Sequence, residues 1–143
     1  AAIEAEVSRL GLSNLTLLPA QPHEAIVGIL KAVDVAWVPL AREEITDAVP
    51  SKLVEAWACG RAAILGAAGE AAWLVEVAGG GVVIPPGDAA ALADAIRRLN
   101  DDPAMLRQMG LSGRRFVEGR LEFRTVAARM EQVLTGLAAG TEE

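Results

Sequence analysis

The chain of 143 residues is poor in cysteine and lysine, and it contains no long apolar run. Its single cysteine, Cys59, excludes an internal disulfide framework and a cysteine-based metal site, and it suits a reducing cytoplasm. No apolar segment approaches the roughly 18 residues that a membrane-spanning helix needs. The first residues carry acids and lack the apolar stretch of a signal peptide. The formal net charge of −6 opposes binding to nucleic acid.

Hydrophobic residues make up 52% of the chain, which excludes disorder and predicts a single folded domain over residues 1–143. Short apolar runs predict strands at 15–19, 35–40, 62–66 and 82–84. Helical spacing and capping signals predict helices at 1–10, 23–32, 51–59, 70–77, 89–99, 103–109 and 122–139. The glycines at 110, 113 and 119 predict a less regular stretch before the last helix.

The predicted strands are continuous apolar runs that alternate with helices as far as residue 99. This pattern is typical of an α/β fold in which a Rossmann-like parallel sheet carries helices on both faces. Such sheets bind their ligands at the carboxyl ends of the strands, in the loops that lead into helices. The candidate loops are therefore 19–23, 39–51, 66–70 and 85–88.

The helix predicted at 51–59 has an apolar arc and a polar arc. The apolar arc comprises Leu53, Val54, Trp57 and Ala58, and the polar arc comprises Ser51, Lys52, Glu55 and Cys59. Free N–H groups at the amino end favour an anion such as phosphate, with Lys52 as its countercharge. Glu55 can accept hydrogen bonds from a vicinal diol such as that of ribose. Alternatively, Ser51 is an ordinary N-cap, and Lys52 and Glu55 form a solvated pair.

Two segments carry a resemblance to a known family. The first is VPSKLVEAWACGRAAILG, and the second is GEAAWLVEVAGGGVVIPPGDAAALADAIRRLNDDPAMLRQMG. In this order and spacing they resemble the donor-binding half of family 4 retaining glycosyltransferases, over about Leu10 to Leu134. That family has the GT-B fold, in which two Rossmann-like domains face each other across a cleft. The resemblance therefore implies the C-terminal half of a GT-B glycosyltransferase.

The family's donor motif consists of two glutamates separated by seven residues. Glu55 matches the second, which implies that it holds the ribose hydroxyls of the nucleotide. Asp47 stands at the first, one methylene shorter than glutamate, and is the implied catalytic residue, in contact with hydroxyls of the transferred sugar. The resemblance also implies donor contacts at Pro19, Ala20, Val49, Pro50, Ser51, Lys52 and Leu53.

Each of these further positions has its own implied role. Pro19 and Ala20 match the region that lines the base pocket in relatives, and the segment around Ser51 matches the one that meets the diphosphate. Pro50 has no N–H, so one backbone donor of the family pattern is missing. Glu70 either faces the donor or complements the dipole of its own helix. The last helix, 122–139, corresponds to one that ties the two domains together in the family.

The chain opens inside what resembles the second helix of the donor domain, so its first strands, with the family's diphosphate-binding Arg and Lys, are expected to be absent. The run at 15–18 then has no native neighbour, and the run at 35–38 exposes an edge at which copies can associate. The acceptor is expected to bind mainly to an absent N-terminal domain, and this chain alone to be inactive.

The implied reaction transfers a sugar from a nucleotide diphosphate sugar to an acceptor, with retention of configuration and without a metal or cofactor in this domain. It would serve polysaccharide or glycolipid biosynthesis in the cytoplasm, or at the inner face of the membrane if the absent domain binds there. One alternative is a non-catalytic Rossmann-like module that binds a nucleotide or a protein. Another is a sugar-nucleotide epimerase, against which the PSK-x-x-E block argues.

Overall fold

The computed structural model describes residues 2–40 and 46–139. Part of the candidate loop 39–51, together with Ala1 and the acidic tail 140–143, lies outside the described residues. The elements, in chain order, are α1 (Ala2–Leu10), α2 (His23–Ala32), β1 (Val35–Pro39), α3 (Ser51–Ala58), β2 (Ala62–Gly66), α4 (Gly69–Ala78), β3 (Gly81–Ile84), α5 (Ala89–Asp101), α6 (Pro103–Arg120) and α7 (Phe123–Ala139).

The three strands form a parallel sheet in the order β1-β2-β3. Val35 pairs with Ala62 at one end of the β1–β2 ladder, and Ala63 pairs with Gly81 in the β2–β3 ladder. Every residue of β2 is buried, because this strand has a neighbour on each side and helices on each face. The parallel sheet predicted from the alternation of elements is therefore confirmed.

Helices cover both faces of this sheet. On one face, α3, α4 and the second half of α6 pack on side chains such as Val38 and Leu65. On the other face, α5 and the first half of α6 pack on Ile64 and Ile84. Because successive residues of a strand point to opposite faces, Ile64 and Leu65 belong to different cores. The fold is thus the α/β arrangement that the sequence predicts.

Trp57 occupies the centre of the first of these cores and is completely buried. Its indole Nε1 donates a hydrogen bond to the carbonyl oxygen of Gly80 at 2.9 Å, and its ring meets that of Phe116 edge-on. A Cβ on Gly80 would lie 2.5 Å from the indole, and one on Gly113 would lie 2.4 Å from it. The indole therefore fills space that two glycines leave open.

The sixth helix, α6, is longer than the sequence predicts. A helix ending at Met109 and an irregular stretch after it were expected, but α6 is continuous to Arg120. A glycine inside a helix costs about 1 kcal/mol relative to alanine. Here, however, a Cβ on Gly110 would lie 2.2 Å from the carbonyl oxygen of Gly60. The glycines permit close packing of α6 on its neighbours, and that packing stabilises the helix across them.

The segment 15–19 does not form the strand that the sequence predicts. The apolar run predicts a strand, but the structure has no strand there, and Leu15, Leu17 and Leu18 are exposed. A strand needs a neighbour for its backbone hydrogen bonds. No strand in the described part of the chain lies beside this segment, and the outer edge of β1 is likewise unpaired there. The run did not pair with β1.

The last helix, α7, lies within the predicted range 122–139. Its apolar residues are exposed along one side, as Phe123, Met130 and Leu137 show. Across residues 2–40 and 46–139, none of the helices has the length and the apolar composition needed to cross a membrane.

Candidate functional site

The helix α3 presents the candidate residues because its other side is fixed in the core. Leu53, Ala56 and Trp57, at positions i, i+3 and i+4, are completely buried. The predicted apolar arc placed Ala58 there instead of Ala56, but Ala58 is exposed. The apolar stripe lies closer to Ala56 because α3 packs both on the sheet and on α6, where Trp57 inserts.

The amino end of α3 follows the carboxyl end of β1. Pro50 occupies the N-cap position and makes no side-chain capping hydrogen bond, so Ser51 is the first helical residue rather than the cap. The backbone N–H of Leu53 donates to the carbonyl oxygen of Pro50 at 3.0 Å. The N–H groups of Ser51 and Lys52 have no acceptor within the helix, and they form a local positive end.

A groove of about 420 Å³ runs between α2, β1 and α3. Three of the predicted donor-binding residues, Ser51, Lys52 and Glu55, line it together. Its remaining walls are apolar and consist of Ile26, Ile29, Leu30, Ala36, Trp37 and Val38. The sequence predicts α2 only as a helix at 23–32, with no role in the site. The spacing of Ile26, Ile29 and Leu30 was visible, but that these side chains face Lys52 and Glu55 depends on the tertiary fold.

Lys52 and Glu55 do not pair with each other. Among the described residues there is no salt bridge or hydrogen bond between these two side chains, although they lie at i and i+3. Ion pairs instead link residues within other helices, as Arg97 and Asp94 do in α5 at 2.7 Å. The solvated pair that the sequence left open is therefore not formed. The groove holds a cation and a carboxylate whose hydrogen-bonding capacity is available to a ligand.

Asp47 and Val49 are exposed in the loop before α3 and do not belong to the lining of this groove. The carbonyl oxygen of Thr46, next to Asp47, accepts a hydrogen bond from the N–H of Glu70 at 2.7 Å. This bond attaches the loop to the amino end of α4. Glu70 itself is exposed at the start of that helix.

The other predicted donor contacts lie elsewhere. Pro19 and Ala20 are exposed in the irregular segment between α1 and α2, where the side-chain amide of Gln21 donates to the carbonyl oxygen of Pro19 at 2.9 Å. Leu53 is buried in the core, so only its backbone is near the amino end of α3. The structure thus brings together Ser51, Lys52 and Glu55 and leaves Pro19 and Ala20 outside the groove.

A second cavity of about 150 Å³ lies at the carboxyl ends of the three strands, on the side of α5. It lies between the side chains of Trp37 and Leu92, and Gly66 forms part of its wall. The carboxylate of Asp88, also at its rim, accepts a hydrogen bond from the N–H of Ala91 at 2.9 Å and so caps α5. The candidate loops 39–51, 66–70 and 85–88 lie at this edge of the sheet, but the cavity itself was not predictable, because its walls come from three separate strands.

The described residues contain no group of three or more His, Cys, Asp or Glu side chains that could hold a metal ion. Cys59 is a free cysteine at the C-cap of α3.

The model of the family "Glycosyl transferases group 1" matches residues 2–116. The chain therefore belongs to the group 1 glycosyltransferases, and the resemblance inferred from its motifs is confirmed. No protein of curated function matches the chain significantly.

Several solved structures have a fold similar to that of the chain. Sucrose-phosphate synthase from Thermosynechococcus elongatus matches 96% of the chain at 32% identity, with a TM-score of 0.81. Anabaena Alr3699/HepE in complex with UDP matches 94% at 21% identity, with a TM-score of 0.83. The HepE complex with UDP-glucose also matches 94%, at 23% identity and a TM-score of 0.80. The chain spans 34% of the first protein and 36% of HepE, about a third of each.

Proposed function

We propose that residues 1–143 form the donor-binding domain of a retaining glycosyltransferase, with 122–139 as its C-terminal helix. The complete enzyme transfers a sugar from a nucleoside diphosphate sugar to an acceptor. The observation that carries this proposal is the groove in which Ser51, Lys52 and Glu55 meet at the amino end of α3. Family membership supplies the reaction class, and the groove supplies groups that suit a nucleotide.

The diphosphate binds at the amino end of α3. The N–H groups of Ser51 and Lys52 point out of the helix end, and the helix dipole favours negative charge there. The Lys52 ammonium is exposed and not engaged by Glu55, so it can reach phosphate oxygens over a range of positions. Val49 and Pro50 lie against the same helix end, and Leu53 contributes only through its backbone.

The ribose binds to Glu55. This carboxylate is half-buried on the groove side of α3, one turn beyond the phosphate-binding end. A carboxylate has two oxygens that accept hydrogen bonds, and a ribose offers two adjacent hydroxyl donors. Hydrogen bonds to a charged acceptor are stronger than neutral ones, so this contact makes a large contribution to nucleotide affinity.

Asp47 contacts the transferred sugar, and Pro19 and Ala20 contact the base. Asp47 lies in the loop that leads into α3, where its exposed carboxylate is available to sugar hydroxyls. Pro19 and Ala20 lie outside the groove in this structure, so their role requires the segment 15–20 to approach the sheet. The outer edge of β1, on which no strand of residues 2–40 and 46–139 pairs, borders the groove, and additional strands on that edge would bring the segment into the domain.

The acceptor binds mainly to an N-terminal domain, no metal or cofactor takes part in this domain, and the chain alone is inactive. The enzyme works in the cytoplasm or at the inner face of the membrane, in the synthesis of a polysaccharide or glycolipid. Through the edge of β1 the isolated chain associates with itself.

The first nucleotides to test are those bound in the similar solved structures. The HepE structures contain UDP and UDP-glucose, which makes uridine diphosphate the first probe. Calorimetric titration of the complete enzyme with UDP, GDP and ADP should give saturable binding of at least one of them. Binding of none refutes the donor-binding role.

Turnover distinguishes an enzyme from a non-catalytic nucleotide-binding module. The complete enzyme, given radiolabelled donor and a membrane or polysaccharide acceptor fraction, should incorporate label with the anomeric configuration of the donor, and residues 1–143 alone should incorporate none. Nucleotide binding without incorporation by the complete enzyme would favour the module. Incorporation by residues 1–143 alone would refute the two-domain mechanism.

A further inference from the structure

The loop that carries Asp47 is attached to the amino end of α4 through main-chain atoms. The carbonyl oxygen of Thr46 accepts the N–H of Glu70 at 2.7 Å. The N-cap residue of α4, Ala68, has no side chain that could satisfy this N–H. The Thr46 carbonyl therefore caps α4, and the same bond fixes the backbone of the residue next to Asp47. We call this arrangement the Thr46–Glu70 latch.

Gly69 is the residue that makes the latch possible. A Cβ at this position would lie 2.2 Å from the carbonyl oxygen of Thr46 and 2.7 Å from its Cα. These are backbone atoms, so no side-chain rotation relieves the overlap. The loop can reach the Glu70 N–H only because Gly69 has no side chain.

The backbone of Gly69 is also left-handed, with φ at +68°. This conformation alone favours glycine, but it does not distinguish Gly69 from other glycines of the chain. Gly79, at the opposite end of α4, has φ at +59°, and a Cβ there would come no closer than 3.9 Å to the side chain of Ser112. The close approach of Thr46 is therefore specific to Gly69.

The latch and the groove are held by different parts of the fold. The helix α3, which carries Lys52 and Glu55, is fixed by its buried side chains, as Trp57 shows. The Asp47 loop is instead attached to α4 through the Thr46–Glu70 latch. A disturbance at Gly69 should consequently move Asp47 while leaving Lys52 and Glu55 in place.

We propose that Gly69 is a positioning residue that sets the place of Asp47 against the transferred sugar. This inference rests on the proposed function, in which Lys52 and Glu55 bind the nucleotide and Asp47 binds the sugar. Gly69 thereby determines how well the enzyme distinguishes a nucleoside diphosphate sugar from the nucleoside diphosphate. It touches neither ligand itself and acts through the backbone of Thr46.

The test compares Gly69→Ala with Gly79→Ala in the complete enzyme. Both variants place an alanine in a left-handed backbone at an end of α4, but only the first collides with Thr46. Calorimetry with UDP and UDP-glucose, and with the corresponding GDP and ADP pairs, gives the ratio of the two dissociation constants. In Gly69→Ala we expect the nucleoside diphosphate to bind within about twofold of the wild type. The sugar nucleotide should bind about tenfold or more weakly. Gly79→Ala should keep the wild-type ratio.

Amide hydrogen exchange supplies a readout that needs no ligand. The Glu70 amide should be protected in the wild type and in Gly79→Ala, and it should exchange faster in Gly69→Ala because its acceptor has moved. Should Gly69→Ala fail to fold, Glu70→Pro removes this N–H, together with the carboxylate, in the first turn of α4, where proline is tolerated. Its comparison with Glu70→Ala, which keeps the N–H, isolates the bond.

The outcomes separate this inference from the function on which it rests. A wild type that binds none of the nucleotides refutes the proposed function. A wild type that binds them, with a Gly69→Ala variant that keeps both the Glu70 protection and the ligand ratio, refutes the latch alone. Equal weakening of both ligands in Gly69→Ala also refutes it, because the effect would then extend to the nucleotide groove.

Discussion

Replacing Glu55 with alanine tests the ribose contact, because this carboxylate lies on the groove side of α3 and takes no part in the core. Loss of a charged hydrogen-bond partner costs about 1.5–3 kcal/mol. At about 1.4 kcal/mol for each factor of ten, this corresponds to an increase of roughly 10- to 150-fold in the dissociation constant. Glu55 is half-buried, so its bonds to a ligand are only partly exposed to competing water.

The assay is calorimetric titration of the complete enzyme with the best-binding nucleoside diphosphate and with its 2′-deoxy analogue. The wild type should bind the deoxy compound more weakly, since one of the two hydroxyl donors is missing. Glu55→Ala should bind the two compounds almost equally, because the acceptor that distinguishes them has gone. The Glu55→Ala substitution and the removal of the 2′-hydroxyl thus form a thermodynamic cycle. This cycle gives the interaction energy between the carboxylate and the diol.

The matched control is Glu76→Ala, which removes an exposed carboxylate from α4, outside the groove. Its affinity and its ligand preference should equal those of the wild type. Thermal unfolding of Glu55→Ala should stay close to the wild-type midpoint, because the buried stripe of α3 is intact. A folded Glu55→Ala enzyme with unchanged affinity, or with an unchanged preference for the ribose form, refutes the ribose contact.

Three further substitutions, two of them paired with a control substitution, test the phosphate contact and the packing behind α3. Lys52→Ala should weaken binding of UDP much more than binding of uridine by calorimetry, since only UDP offers phosphate to the ammonium; equal losses would contradict the phosphate role. Trp57→Phe should lower the free energy of unfolding in urea by about 1–3 kcal/mol, because a buried hydrogen bond and ring volume are lost. Trp73→Phe, at a side chain 58% exposed, should change it by less than about 0.5 kcal/mol. Gly113→Ala should lower the free energy of unfolding by about 1–3 kcal/mol, because the added methyl group overlaps with the indole of Trp57. Gly119→Ala, in the same helix, should not lower it, because a Cβ there meets open space. Equal effects of the two substitutions would refute the packing argument.

The sequence alone predicted the helices and strands whose stabilising interactions lie close together in the chain. Asp88 and Asp102 directly precede the predicted helices 89–99 and 103–109, and their carboxylates accept the N–H groups of Ala91 and Met105, both at 2.9 Å. The strands β1, β2 and β3 were likewise predictable as continuous apolar runs, since a strand buried on both faces needs no polar alternation. The order of these elements already defined the fold class.

The predictions failed where the stabilising partner is remote in the chain. The glycines of α6 read as irregularities because nothing near them in sequence reveals that Trp57 and Gly60 press against them. The run 15–19 has the composition of a strand, yet strand formation depends on a neighbour rather than on composition. Local propensity describes what a segment can form, and the packing of distant residues decides what it does form.

The candidate site likewise combines features that the sequence predicted with features that depend on the tertiary fold. The polar arc of α3 was visible from the spacing of Lys52 and Glu55, whereas the apolar wall that α2 provides and the attachment of Thr46 to α4 were not. The roles of Asp47, Pro19 and Ala20 came from the family resemblance, and they stay predictions.

The helix α3 connects the hydrophobic core with the candidate site. One side carries Trp57, whose fit against glycines leaves the helix little freedom to rotate or shift. The other side carries Lys52 and Glu55, whose usefulness to a ligand depends on a fixed separation and direction. Substitutions on the groove side should therefore change affinity without changing stability. Substitutions at Trp57 should change both, because a helix that can shift in the core no longer holds its polar groups at fixed positions.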